Sequence, residues 1–179
     1  DAAKVEKAAL VGHSMGAVTA LQAAASHPDR VWALALLGIA TTMPVHPELL
    51  DAAHKHQHKS MELIANWGIG RPMQLGGMKS PGLWLTGEVL RVSERANPGS
   101  IGVDMAACND YQGAQAAAEK VRCPTVFVLG DGDQMTPAPK AKALADRIAG
   151  SKTVIIKGCG HMMMTERPDE TLAALKQVI

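Results

Sequence analysis

The sequence predicts an α/β fold: a mostly parallel sheet flanked by helices, with a helical cap inserted between its second and third strands. Three observations carry this. Short apolar runs of strand length alternate with helix-forming stretches at both ends of the chain, and such alternation predicts parallel strands with helices on the sheet faces. The alternation breaks over residues 41–118, too long a stretch for a structureless loop in a compact domain. With 179 residues, 47% of them hydrophobic, the chain can bury one sizeable core.

The elements follow in order. Residues 8–12 (AALVG) form a short apolar strand, and residues 15–25 carry apolar side chains at helical spacing on good helix formers before His27-Pro28 ends the run. Residues 31–37 (VWALALL) are the second strand. The insertion has helical patterns near 47–66 and 100–119 around a Gly/Pro-rich middle, GIGRPMQLGGMKSPG. Strands at 125–130 and 153–157 and helices at 138–149 and 168–178 complete the set. This divides the chain into core (1–40), helical cap or lid (41–118) and core again (119–179).

Composition excludes several functions. Eighteen basic against seventeen acidic residues give a formal charge of +1 with no long run of either sign, which offers nothing to nucleic acid or an anionic membrane. A small-molecule substrate is the expected partner. The longest apolar run, VWALALLGIA at 31–40, is about half a membrane span. Cys108, Cys123 and Cys159 are odd in number and lack CxxC spacing, so neither a disulfide framework nor a zinc knuckle is expected, and a cytoplasmic, reducing setting is. The chain opens at Asp1 and enters its first strand within a few residues, so further sequence is expected upstream.

Three motifs bear chemistry. Ser14 stands in GHSMG between the first strand and the first helix. With 17 glycines present, Gly-x-Ser-x-Gly arises by chance in roughly one such chain in ten, so an ordinary turn serine is the competing reading. The strand-turn-helix context favours a nucleophile held in a sharp turn, with Gly12 and Gly16 giving room and the helix N-terminus facing a developing anion. Asp131 and Asp133 follow the third strand in LGDGDQMTP, and His161 follows the fourth in GCGHMMMTERP. Strand carboxyl ends of a parallel sheet share one edge, where a serine, a base and an orienting carboxylate can meet.

In that order, GHSMG, LGDGDQMTP and GCGHMMMTERP resemble the C-terminal part of an α/β-hydrolase of the bacterial esterase and C–C hydrolase type. The resemblance implies Ser14 as nucleophile, His161 as base, Met15 as the source of one oxyanion-hole N–H, and no cofactor. The family's acid stands three residues after the strand-ending glycine, which from Gly130 is Asp133 rather than Asp131; Glu166 matches a structural position. A full member has about four more strands and the loop bearing the second oxyanion donor. Loss of one such donor costs ~100 to 1000-fold in turnover.

The implied activity is a serine hydrolase acting on an uncharged or weakly charged ester or thioester with an apolar acyl part, as the sequence offers no strong basic clamp beyond Arg71, Arg91 and Arg95. C–C hydrolysis, acyl transfer and perhydrolysis stay open, as does a catalytically incomplete or ligand-binding module. His54, His56 and His58, with Lys55, Lys59 and Lys79, read as a solvated cap face rather than a metal site, since only His54 and His58 share a helical face. Met162, Met163 and Met164 read as core filler of which at most one lines an acyl pocket. The apolar first strand would be left with an open edge, so self-association is expected.

Overall fold

The computed structural model describes residue 2, residues 4–78 and residues 82–179. Four strands, β1 (Ala8–His13), β2 (Val31–Leu37), β3 (Thr125–Gly130) and β4 (Lys152–Ile156), form one sheet in the order β1-β2-β3-β4. All three pairings are parallel, with Leu10 beside Leu34, Leu36 beside Phe127 and Val128 beside Val154. Each strand falls within a residue of its expected position. β3 is buried along its whole length, as its unbroken apolar run requires of a strand covered on both faces. β1 and β4 are edges among the described residues, and they leave Val11 and Ile155 about half exposed.

Alternation along the strands sorts the core into two layers. On one face α1 (Met15–Ser26) packs Leu21 against Leu34, Leu36 and Phe127. The other face gathers Ala35, Leu37, Val126, Val128 and Ile156.

The insertion holds more helices than its sequence pattern shows: α2 (Pro47–His54), α3 (His58–Gly68), α4 (Arg71–Gln74), α5 (Leu85–Glu94), α6 (Ser100–Asp110) and α7 (Ala114–Ala118). The expected 47–66 helix breaks at His56, whose φ is +54°, and the 100–119 helix breaks between Tyr111 and Gly113. α5 is not among the expected helices, because it is short, follows directly on the Gly/Pro-rich stretch and carries Gly87, a poor helix former. Ala114, Ala117 and Ala118 of α7 join the core layer around α1. Lys79, part of the expected solvated face, lies outside the described residues.

The expected 138–149 helix is shorter. After a 3₁₀ turn at Ala138–Ala141 only α8 (Lys142–Ala145) is α-helical. Pro137 and Pro139 withhold two N–H donors at its start, and its end tightens into i→i−3 bonds from Arg147 to Leu144 and from Ile148 to Ala145. Two short helices, α9 (Met163–Glu166) and α10 (Pro168–Leu175), close the chain. Among the described residues no helix is long and apolar enough to cross a membrane.

Candidate active site

Ser14 sits where β1 passes directly into α1, at φ +53° and ψ −120°. Non-glycine residues hold such a conformation only where their surroundings impose it, at ~1 to 3 kcal/mol. Its N–H donates to the Leu37 carbonyl, 2.9 Å away, and its own carbonyl accepts from Ala17 and Val18. The expected need for glycine is met at one position: a Cβ on Gly12 would collide with the Gly16 carbonyl, whereas one on Gly16 would meet nothing within 4 Å. Met15 is the first residue of α1, so its N–H lacks an intrahelical acceptor and stands at the positive end of the helix beside Ser14.

His161 and Asp133 come together from the loops after β4 and β3. His161 Nδ1 lies 2.8 Å from Asp133 Oδ2, and the two side chains are 1% and 0% exposed. Asp133 also accepts at Oδ1 from the backbone N–H groups of Met135 and Thr136 (2.9 and 2.8 Å) and at Oδ2 from the Thr136 hydroxyl (2.7 Å). Burial pushes the Asp133 carboxyl up, but the hydrogen bond and charge of His161 and the Thr136 donors outweigh burial and hold it below the usual carboxylate range. Asp131 is exposed, and among the described residues its carboxylate accepts a single 3.3 Å bond, from the Cys159 N–H. The geometry therefore couples His161 to Asp133.

No hydrogen bond joins Ser14 Oγ to His161 Nε2; that nitrogen is buried and unpartnered. Catalytic hydrogen bonds are often loose before substrate arrives. The His161 ring lies over Gly38, φ +58°, where a Cβ would come within 2.9 Å of both Cε1 and Nδ1. Thr136 and Gly38 were not singled out in the sequence; a threonine three residues after an aspartate is the one legible sign, since that spacing suits an aspartate-capped turn.

Glu166 is buried, and its carboxylate accepts from the N–H groups of Gly160 (2.8 Å), Gly70 (3.1 Å) and Met162 (3.2 Å). Together with a 2.7 Å bond from the His161 N–H to the Gly68 carbonyl, this ties the α3–α4 junction to the loop that carries His161.

Beside Ser14 opens a cavity of about 260 Å³, walled by Met43, Val45, Leu49, Trp67, Met105 and Met135 with His46, Gln134 and Thr136 as polar groups. Lys, Arg, Asp and Glu do not contribute to its described lining. Of the three methionines after His161, Met163 fills the core, Met162 packs toward Ile69 and Met73, and Met164 is exposed. His54, Lys55, His56, His58 and Lys59 are all exposed, with Lys55 and Lys59 paired to Asp51 and Glu48. The three cysteines are free, and burial drives the Cys159 thiol up to about 12, too high for a thiolate nucleophile.

The sequence profile of the alpha/beta hydrolase family matches residues 1–175. The chain is 23% identical over 194 aligned residues to the pimeloyl-acyl-carrier-protein methyl ester esterase of Aromatoleum aromaticum, covering 97% of this chain and 74% of that protein. A shorter stretch of 58 residues, 32% of the chain and 19% of the relative, is 41% identical to the proline iminopeptidase of Lactobacillus helveticus. Among solved structures, the enol-lactonase of Burkholderia xenovorans superposes with a TM-score of 0.83 at 20% identity over 98% of the chain, which spans 66% of that structure. The chain thus spans about two thirds of the solved structure and a smaller share of the iminopeptidase.

Proposed function

The chain belongs to the alpha/beta hydrolase family, and from that premise we propose that it is a serine hydrolase cleaving an uncharged ester or thioester through an acyl-enzyme. One observation carries the reading: a buried His161–Asp133 pair at 2.8 Å on the sheet edge where Ser14 is held at φ +53°. Ser14 Oγ attacks the carbonyl carbon while His161 Nε2 takes its proton, and the ionised Asp133 balances the imidazolium. The Met15 N–H faces the oxyanion. His161 then protonates the leaving alcohol or thiol, and the same imidazole activates the water that releases the acid.

The cavity supports an uncharged substrate with an apolar acyl part, because its described walls carry no Lys, Arg, Asp or Glu and a charge there would be desolvated without a partner. Residues 41–118 supply Met43, Leu49, Trp67, Met105 and Cys108 to those walls, in keeping with a cap that selects substrate. The esterase named among the relatives agrees with this class, and three free thiols suit a cytoplasmic setting.

Hydrolysis of p-nitrophenyl esters of graded acyl length tests the proposal. Turnover that Ser14→Ala lowers by about 10⁴-fold is expected. Binding without turnover across the series, or activity that survives Ser14→Ala, would contradict it.

A further inference from the structure

His13, the last residue of β1, stands directly before Ser14. Its Nε2 lies 2.8 Å from the backbone carbonyl oxygen of His161, and the two imidazole rings are 4.6 Å apart between centroids, inclined at 49°. A carbonyl oxygen only accepts, so His13 Nε2 carries the proton and donates. The residue before the nucleophile is therefore bonded to the backbone of the base and packed on its ring.

The His161 ring needs such support. Its ring hydrogen bonds engage Nδ1 alone, which donates to Asp133 Oδ2 at 2.8 Å with the Thr136 hydroxyl oxygen 3.2 Å away, while Nε2 has no partner. A ring fixed at one nitrogen can still tilt about that anchor, which swings Nε2 away from the hydroxyl it must deprotonate. Packing has to limit the tilt, and His13 packs on the ring from one side while Gly38 leaves room for it where a Cβ would not.

We propose that His13 is a positioning residue of the triad: by holding the His161 carbonyl and bracing its ring, it sets the angle at which Nε2 meets Ser14 Oγ. This rests on the serine hydrolase reading of the same site. The charged groups that face His13 are His161 and Asp133; burial and His161 depress its imidazole to about 4. It therefore stays neutral at the pH where His161 must accept a proton, and adds no second cation beside the imidazolium. Phenylalanine would keep the flat face without the donor, and glutamine a donor at the reach of Nε2 without the face.

Two measurements on the 179-residue chain decide the matter. In long-range proton–nitrogen NMR of the histidine rings, His13 should show the single Nε2–H tautomer down to about pH 5. A His13 that titrates at its ordinary value, or carries its proton on Nδ1, overturns the proposal. In the second, His13→Phe should lower kcat on p-nitrophenyl butyrate about tenfold with KM nearly unchanged, and shift and broaden the His161 ring signals. His13→Gln should recover kcat to within about threefold of the parent. Unchanged kcat and unchanged His161 signals in His13→Phe overturn it. Should the parent hydrolyse no ester, the hydrolase reading fails, and the His161 signals alone decide the positioning role. Should His13→Phe not fold, His13→Gln and the parent tautomer decide it.

Discussion

Asp133 keeps its charge where water barely reaches because four donors converge on its two oxygens: the N–H groups of Met135 and Thr136, the Thr136 hydroxyl and His161. Asp133→Asn removes the anion that fixes the His161 tautomer and should cost about 10⁴-fold in kcat on an ester substrate, whereas the exposed Asp131→Asn should cost less than about threefold. The reverse pattern in steady-state kinetics would move the acid to Asp131. His13 makes the second prediction at this scale. The unfolded chain protonates it near 6.5 and the folded chain only near 4. Between those values the unfolded state holds more protons, so stability falls as pH drops, by roughly 3 kcal/mol in all. Asp133, with a depressed carboxyl, adds its own loss only below its unfolded value of about 3.9. Urea unfolding near pH 7 and near pH 4.5 should therefore show a smaller pH dependence in His13→Asn than in the parent; equal dependence would contradict the burial of a neutral His13. Ser14, Asp133 and His161 were legible because each follows a strand in a motif with a chemical reason. His13 was in plain view within GHSMG and unreadable, because its partner lies 148 residues away and only the folded sheet edge joins them.

Glu166 welds two elements that the sequence pattern separates, the α3–α4 junction and the loop bearing His161. Removing its carboxylate in Glu166→Ala leaves the N–H groups of Gly70, Gly160 and Met162 without their buried acceptor, a loss of about 3 kcal/mol. For a chain of this size that lowers Tm by roughly 6 to 12 °C. An unchanged Tm in thermal unfolding would show that the clamp carries no load. The strands were readable to within a residue because parallel buried strands are continuous apolar runs bounded by turns. The helices of the insertion were less so: α5 is short, follows directly on the Gly/Pro-rich stretch and carries Gly87, features that read as a loop rather than a helix. β1 makes a separate prediction, since it pairs with β2 alone among the described residues and Val11 is 51% exposed. An open apolar edge templates pairing with another chain, so these 179 residues should self-associate on sizing chromatography, and Val11→Lys should raise the monomer share. A monodisperse parent would contradict this.

At the scale of the molecule, four parallel strands bring their carboxyl ends to one edge, and that places Ser14, Asp133 and His161 at the same edge although they span 147 positions of sequence. The placement of this edge followed from alternation in the sequence. The neutral cavity over it did not, because its walls combine the loop at 43–46, α2, α3 and α6 of the insertion with the loop after β3, a packing no motif announces. The central claim is that Ser14 is a nucleophile activated by His161, and covalent capture tests it most directly. After exposure to an alkyl fluorophosphonate, intact-mass and peptide mass spectrometry should find a single phosphonyl adduct on Ser14, formed far more slowly in His161→Ala. An adduct on another residue, or none on Ser14, would contradict the account.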